Sequence, residues 1–187
     1  MHKFTPSDWQ RLETDERRKL IPPGETLKKF GLSEKMTFVD IGAGTGFFSR
    51  EALKIVGKEG RVVALDMSPE MVEFLRAQGV PAGVEVLKSE EYAFPLPESV
   101  ADVTWASFVT HENPDVPRFL KEAARVTKQG GKVVLVEWKK QQEEIGPPME
   151  ERLAEEKLRE LSNGFRVTGS GSLNPSHYYI ELEIKKP

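Results

Sequence analysis

Residues 38–50 read FVDIGAGTGFFSR, a short apolar run followed by glycines at the alternate positions Gly42, Gly44 and Gly46. Glycine in an ordered element is destabilising by roughly 0.5–1 kcal/mol relative to alanine, so three together indicate unusual backbone geometry or close approach of another group. The apolar residues from Phe48 to Val56 share one helical face. The stretch therefore predicts a strand, a glycine turn and a helix whose first N–H groups favour a bound anionic group.

The composition of the chain excludes several functional classes. It has 187 residues, a net charge of −3 and no cysteine, so we expect one domain without disulfides, cysteine nucleophiles or thiolate metal sites, and we predict no metal. Acidic and basic residues are interleaved, which argues against nucleic acid as a partner. The polar N-terminus and the absence of a long apolar stretch favour a cytoplasmic protein without a membrane partner. Many glutamates and no cysteine suggest a thermophilic source as a hypothesis.

Apolar strands alternate with amphipathic helices through the middle of the chain. This alternation predicts a parallel sheet that is covered by helices on both faces. The predicted strands are 37–41, 61–65, 84–87, 100–107 and 132–138, and the predicted helices are 48–56, 68–79 and 115–128, the last of which stops at Gly130 and Gly131.

The two ends of the chain follow other patterns. Segment 7–30 reads as one or two helices broken at residues 22–24, and we expect it to cover one face of the sheet. A helix over 149–162 precedes strands at 165–168 and 178–184, which have no helix between them and predict an antiparallel hairpin. The pattern is that of a mixed, doubly wound α/β fold, whose ligands lie beyond the carboxyl ends of the strands.

The residues after the glycines exclude two common ligand classes. A mononucleotide phosphate loop needs Lys followed by Ser or Thr after its last glycine, whereas Gly46 is followed by Phe47 and Phe48. A dinucleotide fingerprint that starts at Gly42 needs Gly or Ala at position 47, where this chain has phenylalanine. The glycine turn therefore matches neither pattern.

Four stretches, in order along the chain, resemble the motifs of class I S-adenosylmethionine-dependent methyltransferases. They are VDIGAGTGFFS, VVALDMSPEM, LKSEEYAFPLPESVADVTWASFVTH and GGKVVLVEW. Within that superfamily the chain is most similar to the ubiquinone/menaquinone-biosynthesis group. The resemblance implies a Rossmann-like fold with a seven-stranded sheet in the order 3-2-1-4-5-7-6 and strand 7 antiparallel. It also implies a single methyltransferase domain, 1–187, made of a helical cover (1–35), a cofactor-binding core (36–140) and a C-terminal helix and hairpin (141–187).

The resemblance also implies a cofactor, S-adenosylmethionine, whose product is S-adenosylhomocysteine, and a role for each matching residue. Asp40 serves the amino group of the methionine end, and Asp66 accepts hydrogen bonds from both ribose hydroxyls. Met67 packs on the adenine, and Glu90 stands where the family usually has Asp for the adenine amino group. The other matching positions contribute main chain: Gly42, Ala43, Gly44 and Gly46 at the turn, Glu91 at the adenine and Ser107 at the methionine end.

The sequence leaves the catalytic residue unknown and the acceptor open. His111 would lie near the methyl group as a candidate general base, and Trp105, Phe108, Tyr178 and Tyr179 are candidates for a substrate pocket. Asn113-Pro114-Asp115 departs from the signature of enzymes that methylate exocyclic base amines, so we expect in-line methyl transfer to a small molecule. A cofactor-binding regulatory domain without turnover and a nicotinamide-dependent oxidoreductase are the alternatives. The oligomeric state is not predicted.

Overall fold

Seven strands form one mixed sheet in the computed structural model, which describes residues 13–185. The strands are β1 (Thr37–Ile41), β2 (Arg61–Asp66), β3 (Val84–Lys88), β4 (Ala101–Ser107), β5 (Thr127–Trp138), β6 (Arg166–Ser172) and β7 (His177–Glu183). The helices are α1 (Asp15–Leu20), α2 (Pro23–Lys29), α3 (Phe47–Val56), α4 (Pro69–Phe74), α5 (Val116–Val126) and α6 (Glu155–Leu161).

The order of the strands is β3-β2-β1-β4-β5-β7-β6, and β7 pairs antiparallel with both β5 and β6. The pairs among β1 to β5 are all parallel. This confirms the predicted doubly wound, Rossmann-like fold, including the terminal antiparallel hairpin.

Alternate residues of the central strands supply two separate cores. Phe38 packs on the face covered by α2 and α3, whereas Val39 packs on the face covered by α5 and α6. Both side chains are completely buried. Burial on both faces explains why β1 reads as a continuous apolar run in the sequence.

The prediction for residues 115–138 was wrong at the junction between helix and strand. Asp115 caps α5 as expected, because its carboxylate accepts a hydrogen bond from the Arg118 N–H. The helix ends at Val126, and Thr127 already pairs with Ala101 in β5. Gly130 donates its N–H to the carbonyl of Ile184. The glycines that the sequence suggested as a helix stop therefore belong to an irregular part of β5.

Other predicted boundaries also shift. The predicted helix over 149–162 is a single turn of 3-10 helix, Met149–Glu151, followed by the shorter α6. The strand that follows α6, β6, continues to Ser172, beyond the predicted end at residue 168. The chain does break near the predicted position, at Ile21 and Pro22 between α1 and α2, but Pro23 and Gly24 already form the first turn of α2. Residues 7–12 of the predicted cover lie outside the described residues.

Gly46 and Gly130 offer a test of the packing around the glycine turn. Both have a left-handed backbone, with φ of 81° and 76°. A methyl group at Gly46 would lie 2.3 Å from Val80 Cγ1, whereas one at Gly130 meets nothing within 4 Å. We expect Gly130→Ala to lower the free energy of unfolding by about 1–2 kcal/mol through backbone strain alone. Gly46→Ala should lower it by at least about 3 kcal/mol, because overpacking adds to the strain.

Thermal unfolding measures the difference, since about 1 kcal/mol corresponds to roughly 2–4 °C for a domain of this size. Val80→Ala, combined with Gly46→Ala, should restore part of the loss by removing the clash. Equal losses for Gly46→Ala and Gly130→Ala would contradict the packing described for the turn.

Candidate functional site

The candidate site lies where the order of the strands reverses. β1 lies between β2 and β4, and open α/β sheets bind ligands beyond the carboxyl ends of the strands at such a point. Asp40 lies near the end of β1, Asp66 ends β2 and Ser107 ends β4. The fold therefore brings three of the predicted cofactor residues to one edge of the sheet.

The carboxylate of Asp66 joins the glycine turn to the turn after β2. Oδ2 accepts a hydrogen bond from the N–H of Gly44, and Oδ1 accepts one from the N–H of Ser68, both at 3.0 Å. Burial raises the pKa of this carboxyl, although the main-chain hydrogen bonds oppose the rise. Each carboxylate oxygen has more than one lone-pair site, so both can still accept a hydroxyl donor. The carboxylate is thus fixed in place with acceptor capacity remaining.

Two of the three glycines lie where neighbouring protein groups leave no room for a side chain. A methyl group at Gly42 would lie 2.3 Å from Val109 Cγ1, in the loop after β4. At Gly46 the close neighbours are Val80 and the carbonyl oxygen of Gly79. The glycines bring the turn into contact with two other loops, and the predicted main-chain contacts of Gly42, Ala43, Gly44 and Gly46 with the cofactor stay predictions.

Asp40 is buried beneath the glycine turn. Its Oδ2 accepts a hydrogen bond of 2.6 Å from the hydroxyl of Ser49 in α3. Burial raises the pKa of the Asp40 carboxyl to about 7; the charge of Asp66 adds to this rise, whereas the Ser49 hydrogen bond and Arg17 oppose it. An ammonium group close to Asp40 would favour its ionised form. This electrostatic environment fits the role that the resemblance implies for Asp40.

The residues predicted to contact adenine lie beside Asp66. The side chain of Met67 is 46% exposed, which leaves its thioether available to a ligand. Ser89 donates its N–H to the carbonyl of Asp66 and so holds the following Glu90 and Glu91 near the end of β2. Glu90 Oε1 forms an exposed ion pair of 2.8 Å with Lys88. Exposed pairs contribute about 0–1 kcal/mol, so a ligand can compete for this carboxylate.

The segment before α1 and α1 itself lie against the glycine turn. Glu13 Oε1 accepts a hydrogen bond of 2.5 Å from the hydroxyl of Thr45 and forms an ion pair with Arg50. The guanidinium of Arg17 lies 4.3 Å from the ring centre of Phe47 and 5.7 Å from that of Phe108. Within residues 13–30, the predicted N-terminal cover therefore reaches the candidate site.

A second buried acid, Glu137, holds the turn after β4. Its Oε1 accepts hydrogen bonds from the N–H groups of Thr110 and His111, and its Oε2 lies 2.8 Å from His111 Nδ1. Burial lowers the pKa of His111, but the charge and hydrogen bond of Glu137 outweigh this effect, and the net pKa is raised. Sequence reasoning singled out His111 and missed Glu137. A glutamate at the end of the apolar run KVVLVEW was the available signal.

The predicted aromatic pocket needs correction. Trp105 and Tyr178 are at most 1% exposed, and the Tyr178 hydroxyl donates to the carbonyl of Leu153, so both belong to the core. Tyr179 packs edge-on against Phe30, with ring centres 4.9 Å apart. Phe108, with an unusual φ of 61°, lies 5.5 Å from the ring of Trp138. Phe108, which the sequence suggested, follows β4, and Trp138, which sequence reasoning missed, ends β5.

Comparison with known proteins supports the resemblance. Residues 39–135 match the family described as "Methyltransferase domain". Demethylmenaquinone methyltransferase of Lactococcus lactis subsp. lactis is 31% identical over 116 residues, which is 60% of this chain and 46% of that protein. The ubiquinone/menaquinone biosynthesis C-methyltransferase UbiE of Escherichia coli is 30% identical over 119 residues, 62% of this chain and 47% of that protein. The chain therefore spans about half the length of these curated relatives.

A solved structure matches over nearly the whole chain. The crystal structure of a SAM-dependent methyltransferase from Aquifex aeolicus has a TM-score of 0.91 and 35% sequence identity. The match covers 98% of this chain and 100% of the other. The two chains thus share the fold and, at this identity, a family.

Asp40 gives a stability test that depends on pH. Unfolded aspartate releases its proton near pH 3.9, whereas folded Asp40 keeps it up to about pH 7. The stability that Asp40 contributes is therefore present below pH 4 and is lost as pH rises to 7. We expect Asp40→Asn, which retains an acceptor for Ser49, to raise the free energy of unfolding at pH 8 by on the order of 2–4 kcal/mol.

Thermal unfolding between pH 4 and pH 8 measures this effect, which should grow up to pH 7 and then level off. Ser49→Ala is the contrasting variant, because loss of the hydroxyl removes a bond that favours the charged carboxylate. It should destabilise the protein most above pH 7. A constant difference between Asp40→Asn and the unmodified protein at all pH values would contradict the raised pKa.

Proposed function

This chain belongs to the class I S-adenosylmethionine-dependent methyltransferases, in the group that resembles ubiquinone/menaquinone-biosynthesis enzymes, and we propose that its methyl acceptor is a small molecule. The observation that carries the cofactor assignment is the carboxylate of Asp66, held by the N–H groups of Gly44 and Ser68 at the switch point of the sheet. Beside it lies the exposed thioether of Met67. A carboxylate that can accept hydrogen bonds from two ribose hydroxyls, next to an apolar side chain that can contact a base, suits a nucleoside.

The proposed residue roles follow from position and charge. Asp66 binds the ribose hydroxyls, and Met67 packs on the adenine. Glu90 and Glu91, which follow β3, contact the adenine as well. Asp40 and the glycine turn face the methionine end, with Ser107 at the end of β4. S-Adenosylmethionine supplies a methyl group already activated on a sulfonium, so alignment of acceptor, methyl carbon and sulfur accounts for much of the acceleration.

The features around the crevice support a small acceptor. Phe108 follows β4 and Trp138 ends β5, so both rings lie at the carboxyl edge of the sheet, and the guanidinium of Arg17 lies 5.7 Å from the ring centre of Phe108. Such a combination suits a partly apolar metabolite of limited size. None of the helices in residues 13–185 has the length and apolar character that a membrane span requires.

Asp66 and Asp102 form a matched pair for testing cofactor binding. Asp66 ends β2, whereas Asp102, near the start of β4, binds Lys128 and the N–H of Thr37 at the opposite edge of the sheet. Hydrogen bonds to charged groups contribute about 1.5–3 kcal/mol each. Asp66→Asn should therefore weaken S-adenosylhomocysteine binding by roughly 10-fold to 100-fold. Asp102→Asn should leave that affinity within about twofold of the original value.

Calorimetric titration measures these affinities, and a thermal-shift panel with NAD tests the nicotinamide alternative. Unchanged affinity in Asp66→Asn, or stronger stabilisation by NAD, would contradict the assignment. Incubation of the protein with S-adenosylmethionine and a metabolite fraction below 1 kDa should release S-adenosylhomocysteine. Binding without such turnover would favour a regulatory domain instead.

A further inference from the structure

His111 and Glu137 form a buried pair at the carboxyl ends of β4 and β5. The side chains of His111 and Glu137 are only 6% and 1% exposed, and Nδ1 lies 2.8 Å from Oε2. An ionised carboxylate only accepts hydrogen bonds, so Nδ1 must donate to it. In the neutral ring the other nitrogen, Nε2, then carries the free lone pair. The arrangement fixes both the tautomer and the orientation of the imidazole.

The turn that carries His111 lies against the glycine turn, since a methyl group at Gly42 would meet Val109 Cγ1 at 2.3 Å. His111 Nε2 lies 4.0 Å from Glu112 Oε1 in the same turn. Burial raises the pKa of Glu112, and the charge of Asp66 adds to this rise. The turn after β4 therefore borders the glycine turn, whose Gly44 N–H binds the carboxylate of Asp66.

We propose that His111, oriented by Glu137, is the general base that takes a proton from the methyl acceptor. The inference rests on the proposed function and extends it, because it assigns the acceptor to compounds whose reacting O–H or N–H must lose a proton. As the acceptor atom bonds to the methyl carbon, the carbon–sulfur bond breaks and its electron pair stays on sulfur. The acceptor proton moves to Nε2, and the resulting imidazolium pairs with Glu137 before releasing the proton to water.

A purely structural role for the pair makes different predictions. Glu137 also binds the N–H groups of Thr110 and His111, so it holds the turn even without chemistry. Glu137→Gln keeps an oxygen for those two donors, while its amide group donates to Nδ1 and moves the ring proton to Nε2. His111→Asn keeps a donor toward Glu137 and removes Nε2. Neither variant should lower the melting temperature by more than a few degrees, because the turn remains hydrogen-bonded.

The position of Nε2 can be tested without a methyl acceptor, from the affinities of the protein for S-adenosylmethionine and S-adenosylhomocysteine. S-Adenosylmethionine and S-adenosylhomocysteine share their amino acid, ribose and adenine groups and differ by the charged methyl sulfonium. The ratio of their affinities therefore cancels the effect of Asp40 on the shared amino group, and the difference in this ratio between the unmodified protein and His111→Asn isolates the imidazole. If His111 faces the sulfonium, protonation of the imidazole should reduce the preference for S-adenosylmethionine by roughly tenfold.

Calorimetric titration from pH 5 to pH 9 measures this ratio. Burial lowers the pKa of His111, and the charges of Glu137, Glu112 and Glu151 raise it. In His111→Asn the part of the change in this ratio that comes from protonation of the imidazole should vanish, and in Glu137→Gln that part should move to lower pH. Glu112→Gln is the control for the neighbouring carboxylate. In this variant the ratio should still change with pH as the imidazole of His111 is protonated. A ratio that changes identically with pH in His111→Asn and the unmodified protein would overturn the inference.

Turnover gives the second readout. With the metabolite fraction below 1 kDa as acceptor source, His111→Asn and Glu137→Gln should slow S-adenosylhomocysteine release by about 100-fold or more, the usual contribution of a general base. Their affinity for S-adenosylhomocysteine should stay unchanged. Unimpaired turnover in His111→Asn would overturn the inference while leaving the proposed function intact. Failure of the unmodified protein to bind either ligand would instead contradict the proposed function, and the inference with it.

Discussion

The carboxylate of Asp66 fixes two turns that are distant in sequence but adjacent at the edge of the sheet. One oxygen binds the N–H of Gly44 after β1, and the other binds the N–H of Ser68 after β2. The carbonyl of the same residue accepts the N–H of Ser89 after β3. Three consecutive strand ends thus depend on one residue. A site built this way holds a ligand on rigid main chain, which is what close positioning of reacting groups requires.

The charges around the crevice suit a cationic ligand. Asp40, Asp66 and Glu112 have raised pKa values, in each case because of burial first. A positive charge placed among these carboxylates would relieve the cost of keeping them ionised. The guanidinium of Arg17 lies over Phe47 and Phe108, and its positive charge opposes the rise in the pKa of Asp40. The electrostatics therefore agree with a zwitterionic amino-acid end joined to a sulfonium.

Local sequence patterns predicted the alternation of strands and helices and the position of Asp66 correctly, because apolar periodicity and turn residues are local signals, whereas the strand order came from the family resemblance. The junction was mispredicted because Thr127 pairs with Ala101 and Gly130 bonds to Ile184, both distant in sequence, and this pairing overrides the glycine stop signal. The burial of Trp105 and the partnership of Glu137 with His111 likewise depend on tertiary contacts. Residue type alone cannot distinguish a core tryptophan from one that lines a crevice.

A crystal structure of the protein with S-adenosylhomocysteine tests the central claim most directly. The account predicts both ribose hydroxyls on the carboxylate of Asp66, the adenine against Met67 and the thioether sulfur on the side of the crevice where His111 lies. A ligand bound elsewhere on the protein, or ribose hydroxyls that do not contact Asp66, would contradict it.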